Sequence, residues 1–184
     1  QNESFFTPTK KAVMQKADLR VLLNDVIALN REAHPGIVFE QGGLLSSPDR
    51  VVTFCDEQQI RQAFTNLLQN SIDATSERMK KDEGGGEPGR ISIRLSILDG
   101  RDLMMTLNDN GVGLPKGQTP ESLTEPYVTF KEKGTGLGLA IVKKIMEDHK
   151  GRIEFGAGQD VAGLPDWADL GGATVSLIIP QRLI

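Results

Sequence analysis

Asp109-Asn110-Gly111-Val112-Gly113 sets an acidic residue and two glycines at the end of a strand. The strand comes from a hairpin. Ile91-Ser92-Ile93-Arg94-Leu95-Ser96-Ile97 alternates apolar and polar residues, as a half-buried strand does. Asp99-Gly100 is a hairpin turn signal, and Leu103 to Leu107 is the returning partner that delivers Asp109. Downstream, Gly134-Thr135-Gly136-Leu137-Gly138-Leu139 leads into a helix over Leu137 to His149. Leu137, Ala140, Ile141, Ile145 and Met146 face inward there, and Gly151 is expected to end it. Between the two glycine clusters, about residues 112–135, no period is sustained and Pro115, Pro120 and Pro126 intervene. That stretch reads as a mobile lid with one short helix.

Working back toward the N-terminus, Asp18 caps a helix carrying Leu19, Leu22, Leu23, Val26 and Ile27, which His34-Pro35-Gly36 ends. Ile37 to Glu40 is a short strand, Gln41-Gly42-Gly43 and Ser46-Ser47-Pro48 are loop, and Val51 to Phe54 is a second strand. Asp56 opens the longest helix, with Ile60, Ala63, Phe64, Leu67, Leu68 and Ile72 on its buried side. Lys80 to Gly86 is a polar loop. The last two strands are Arg152 to Phe155 and Ala173 to Ile179, joined by a long connection over Gly156 to Gly172. The order predicts an α/β fold of two layers, one sheet with helices on one face. Residues 1–16 are expected to be a linker from a preceding domain, and residues 17–184 the folded domain.

With 184 residues, the chain can bury one proper core. Its net charge of −4 argues against non-specific nucleic-acid binding, which needs a basic field. A local anion site survives that test, since backbone N–H groups can supply the positive potential. The single Cys55 excludes an internal disulfide and suits a reducing compartment. No apolar run is long enough to span a bilayer. A first residue of Gln rather than Met suggests a piece of a longer protein.

Three groups of residues carry chemistry. On the long helix, Gln62, Asn66, Asn70 and Asp73 share one face. An Asn carbonyl oxygen can coordinate Mg²⁺ without adding charge, and magnesium takes few protein ligands. A plain solvated face is the alternative for such a stripe. At the strand end, the carboxylate of Asp109 is costly unless it meets donors, and the exocyclic amino group of adenine is one. Gly111 and Gly113 would let the backbone pass close to a base, although Asp-Asn-Gly is also an ordinary turn. Gly134 to Gly138, just before a helix, can cradle an anion with backbone N–H groups. It is neither a P-loop nor a dinucleotide fingerprint. Lys131 and Lys133 precede it within reach of phosphates. Each signal is modest alone, and the three in this order are specific.

On these residues the chain resembles the catalytic ATP-binding domain of sensor histidine kinases, part of the superfamily that includes gyrase, HSP90 and MutL. Asn66-Leu67-Leu68-Gln69-Asn70-Ser71 resembles the family's N box, and Asp109 to Gly113 its G1 box. Pro126-Tyr127-Val128-Thr129-Phe130 stands where the F box belongs, and Gly134 to Leu139 resembles the G2 box. Gly171-Gly172-Ala173-Thr174 fits the last glycine-containing segment. Thr124 to Thr129 is worded as in nitrogen-regulation kinases of the NtrY type. The resemblance implies a Bergerat-type sandwich with a mixed, mostly antiparallel sheet, and ATP and Mg²⁺ as cofactors. By it Asn70 binds the metal, Asn66 sits near the phosphates, and Asp109 accepts from adenine with help from Thr174. Asp73, Phe130, Lys133, Thr135 and Leu137 line the site, and Gly111, Gly113, Gly134, Gly136 and Gly138 shape it. It also implies a response regulator as partner, a homodimeric parent anchored in the inner membrane, and a cytoplasmic domain without membrane or nucleic-acid contact.

The ATP-hydrolysing relatives carry a glutamate one turn before the metal-binding Asn; here Asn66 stands there and cannot act as a base at neutral pH. Transfer to a protein acceptor is therefore expected over hydrolysis. Neither His34, before Pro35, nor His149, in a helix's last turn where the dipole would favour its charge, fits a phosphoacceptor. The chain alone is expected not to label itself. A gyrase-like ATPase and an anti-sigma-type serine kinase remain the alternatives.

Overall fold

The computed structural model describes residues 11–83, 85–126, 138–156, 165, 167 and 172–180. In chain order the elements are β1 (Gln15–Asp18), α1 (Leu19–Ala33), β2 (Ile37–Gly43), β3 (Val52–Cys55), α2 (Glu57–Lys81) and β4 (Gly89–Leu98). They continue with β5 (Asp102–Asp109), α3 (Pro120–Leu123), α4 (Gly138–Asp148), β6 (Arg152–Gly156) and β7 (Thr174–Ile179). Five strands form the main sheet in the order β2-β4-β5-β7-β6. Only the β2–β4 pair is parallel. This is the expected mixed, mostly antiparallel sheet with α1, α2 and α4 on one face.

The alternation of the strands dictates that layering. Ile91, Ile93 and Leu95 of β4, Leu103, Met105 and Leu107 of β5, and Leu177 and Ile179 of β7 all enter the core. They meet Leu22, Leu23, Val26 and Ile27 of α1, Phe64, Leu67, Leu68 and Ile72 of α2, and Val142, Ile145 and Met146 of α4. Each such side chain contributes about 1.5–3 kcal/mol by leaving water. The hairpin turn is built as the sequence predicts. Asp99 and Gly100 take φ of 53° and 76°, the paired left-handed conformations of a two-residue turn.

Three local expectations are corrected. β3 does not join the main sheet; it pairs antiparallel with β1, so Gln15 and Lys16 belong to a strand rather than to a linker. Gln41 to Gly43 continue β2 instead of looping, because their backbone stays paired with Ile93 to Leu95. At the end of α4 the left-handed residue is Lys150, at φ 60°, and not Gly151. Gly151 is needed for a different reason, since a Cβ there would fall 2.1 Å from the Ile178 carbonyl oxygen.

The face away from the helices is not bare. Ser92, Thr106, Asn108 and Ser176 point to it and are buried. Trp167, between β6 and β7 in sequence, donates its Nε1–H to Glu40 Oε1 of β2 at 3.3 Å. That connection therefore reaches the opposite edge of the sheet.

Candidate functional site

Asp109 closes β5, two residues past Leu107, and so shares the face that looks at the helices. It is 3% exposed. Its Oδ1 accepts the N–H of Gly111 at 2.9 Å and that of Ala173 at 3.4 Å. The Ser71 hydroxyl of α2 donates to the same carboxylate. Burial pushes the carboxyl up to about 6 despite these three donors. At neutral pH the group is still mostly charged, and its three hydrogen-bond donors are all neutral. Such an acceptor is selective for a strong donor that arrives without water.

The turn that follows is fixed by packing. Asn110 Oδ1 accepts the Arg90 N–H at 2.8 Å, and its Nδ2 donates to the Pro88 carbonyl at 2.9 Å. A Cβ on Gly111 would sit 2.5 Å from the Ala74 carbonyl carbon. The N–H of Val112 donates to the Ala74 oxygen at 3.2 Å. Gly111 therefore serves the approach of the turn to α2. Gly113 takes φ 84°, which glycine alone adopts freely. From the other side, a Cβ on Gly172 would fall 1.6 Å from the Asp109 carbonyl oxygen.

α2 spans the site. Asn66, Asn70 and Asp73 are half-buried on one face, and Gln62 is exposed. Gln69 Nε2 donates to Asp73 Oδ1 at 2.8 Å. Asn66 Nδ2 approaches the Gly138 carbonyl oxygen at 3.5 Å. From Asn66 to Ala74 is about 12 Å along the helix axis. One end of the stripe thus touches the start of α4 and the other the Asp109 turn. Tyr127, Phe130, Lys133, Gly134, Thr135, Gly136 and Leu137 lie outside the described residues. The short helix expected within residues 112–135 is α3.

Two assignments move. Thr174 pairs in register with Asn108, and its Oγ1 accepts from Asn108 Nδ2 at 2.7 Å. Strand alternation puts that hydroxyl on the sheet face opposite Asp109. The residue of this segment that reaches the carboxylate is Ala173, through its amide. His149 is buried and accepts the Asp56 N–H at Nε2, 2.9 Å away, so its role is that of an acceptor and not of a charge on the helix dipole. The sequence reading gives Ser71 no role of its own, yet a signal exists. It is a lone hydroxyl in the apolar stripe Phe64-Leu67-Leu68-Ile72, next to Asn70.

A buried acid behind a glycine turn, an Asn-bearing helix across from it and a mixed sheet define an ATP-binding domain of the histidine kinase type. The chain belongs to the histidine kinase-, DNA gyrase B- and HSP90-like ATPase family, whose pattern it matches over residues 55–183. It is 40% identical over 152 residues to the nitrogen regulation protein NtrY of Azorhizobium caulinodans, a match covering 83% of this chain and 18% of that protein. Sporulation kinase E of Bacillus subtilis is 30% identical over 139 residues, 76% of this chain and 17% of its own length. The nucleotide-free catalytic domain of the histidine kinase ThkA superposes with a TM-score of 0.68 at 26% identity, covering 92% of this chain and 98% of that domain. The chain spans about a fifth of the curated relatives it matches. Among the described residues no helix is long and apolar enough to cross a membrane.

Proposed function

We propose that this domain is the catalytic part of a sensor histidine kinase, which passes the γ-phosphoryl group of ATP to a histidine on a separate domain for relay to an aspartate of a response regulator. The supporting observation is Asp109, a buried carboxylate held by three donors and still able to accept a fourth. The adenine amino group is that donor in this reading, and Ser71 and the Ala173 amide orient the acid. Asn70 offers its side-chain oxygen to Mg²⁺, with phosphate and water supplying the other ligands. Among the described residues no cluster of three or more His, Cys, Asp or Glu forms a protein-only metal cage, which suits a metal arriving with nucleotide. When bound, the metal neutralises phosphate charge.

Asn66 contributes donors to the phosphates and no base, so water is not activated from this position. Phe130, Lys133 to Gly138 and, on α2, Asp73 are the remaining residues assigned to the nucleotide. The parent is a homodimer, anchored in the inner membrane, that supplies the acceptor helix. Calorimetry tests the pocket. The wild-type chain binds AMP-PNP with Mg²⁺. Asp109→Asn weakens both adenosine and AMP-PNP by about 10- to 100-fold, the loss of one charged hydrogen bond. Asn70→Ala weakens only the Mg²⁺-dependent part. Unchanged affinity in Asp109→Asn removes the adenine reading. Label taken up from γ-labelled ATP by the chain alone removes the separate acceptor.

A further inference from the structure

Three segments meet at Asp56, and the nucleotide reading uses none of their contacts. Asp56 Oδ1 caps α2 by accepting the Gln59 N–H at 3.1 Å, and Oδ2 accepts the Val13 N–H at 2.8 Å. The Asp56 N–H goes to His149 Nε2 at 2.9 Å. The other ring nitrogen, Nδ1, lies 2.8 Å from the Ile145 carbonyl, one turn back along α4. That carbonyl can only accept, so Nδ1 carries the proton and Nε2 is the acceptor. His149 is 2% exposed, so water does not compete for the bond.

From this junction α2 and α4 run side by side to the candidate site. Asn66 lies about 15 Å along α2 from Asp56, and Gly138 about 16 Å back along α4 from His149. The two meet again there, with Asn66 Nδ2 and the Gly138 oxygen 3.5 Å apart. The helix pair is thus tied tightly at its remote end and loosely at the end where the glycine-rich segment joins α4. A slip of one residue would shift Gly138 by about 1.5 Å against Asn66. Proximity effects lose much of their value over such a distance.

We propose that the His149–Asp56 junction positions the phosphate end of the pocket: it sets the register in which Gly138 faces Asn66, and through Val13 it ties that register to the incoming chain. His149 is a positioning residue, since it touches neither nucleotide nor metal. The proposal rests on the nucleotide reading above, and the test separates the two.

Two variants are compared with wild type in the 184-residue chain. His149→Phe keeps ring volume and removes the acceptor. His149→Gln restores one, since its Oε1 can take the Asp56 N–H. Affinities are measured for adenosine, which probes the Asp109 end, and for AMP-PNP with Mg²⁺, which probes both ends. His149→Phe is expected to weaken AMP-PNP about tenfold, the loss of one buried hydrogen bond felt at the pocket, with adenosine unchanged. His149→Gln recovers most of that loss. A lower melting temperature with an unchanged ratio of the two affinities makes His149 merely structural and overturns the proposal.

Amide exchange gives a readout that does not need nucleotide. The helical acceptor of the Val142 N–H is the Gly138 carbonyl. Faster exchange at both Asp56 and Val142 in His149→Phe, returned toward wild type in His149→Gln, supports the coupling; a change at Asp56 alone overturns it. If His149→Phe does not fold, His149→Leu, which also lacks an acceptor, carries this measurement. Wild type that binds neither ligand removes the nucleotide reading, and exchange at Val142 still decides whether the junction holds the start of α4.

Discussion

The two ends of the candidate pocket are built to opposite standards. At the Asp109 end every group is over-determined: three donors on one carboxylate, Gly111 against the Ala74 backbone, and Gly172 against the back of Asp109 itself. At the Gly138 end, among the described residues, one 3.5 Å hydrogen bond joins the start of α4 to α2, and a Cβ on Gly138 would meet nothing within 4 Å. In the proposed reading the difference separates two tasks. Recognition of a flat, neutral base benefits from a site formed in advance, because ordering it on binding would cost affinity. A charged tail that arrives with its own metal and water needs adjustable partners.

The harshest way to break that contrast is Gly172→Ala. The added methyl cannot avoid the Asp109 carbonyl without parting β7 from β5. A loss of about 3–5 kcal/mol in unfolding free energy is expected, at the upper end for single substitutions. Denaturant titration measures it. A loss under about 1 kcal/mol would mean that this end yields as easily as the other.

Asp109→Asn sharpens the comparison through pH. The folded-state pKa of about 6 lies above the unfolded value of 3.8. The folded state therefore holds the proton more tightly. This group's stabilising contribution is full below pH 3.8 and is lost as pH rises through about 6. The shift corresponds to about 3 kcal/mol. Asn keeps an oxygen for Gly111 and Ala173 and carries no charge. The variant is thus expected to exceed wild type by up to about 3 kcal/mol at pH 7 and to match it near pH 4. Nucleotide affinity moves the other way. In wild type it falls about tenfold between pH 7 and pH 5 as the acceptor takes a proton. Titrations of both proteins at the two pH values decide this. Equal stability at pH 7 would show that burial of the charge costs the fold nothing.

Much of this was legible in the chain. The hairpin through Asp99-Gly100, the delivery of Asp109 and the caps Asp18 and Asp56 follow from alternation and turn chemistry, which are local. The failures are non-local. Nothing in Val51 to Phe54 says that β3 will leave the main sheet for β1, because both partners offer the same backbone groups. Gln41-Gly42-Gly43 reads as loop by composition, yet pairing with β4 overrides it. The resemblance assigns Thr174 to Asp109, yet the alternation Val175-Leu177-Ile179 already puts residue 173 on the face of Asp109 and residue 174 behind it. Thr174→Val tests that register. Asn108 Nδ2 loses its 2.7 Å partner but keeps the Ala173 carbonyl at 3.2 Å, so the cost is about 1 kcal/mol. Adenosine affinity should not change. A large loss of affinity would return the hydroxyl to the pocket.

The smallest effect expected is the counterpart of the largest. Gly138 opens α4 in ordinary helical space, with room for a methyl among the described residues. Ala restricts the unfolded chain more than Gly does and suits a helix better, so Gly138→Ala should raise the unfolding free energy by about 0.5 kcal/mol. The same chemical change then has opposite signs at the two ends of one pocket. The sign carries the information, because a methyl is tolerated only where the backbone has no close neighbour to displace. A loss at Gly138 comparable to that at Gly172 would mean that the phosphate end is also preformed, and the looseness assigned to the Asn66 contact would have to be given up.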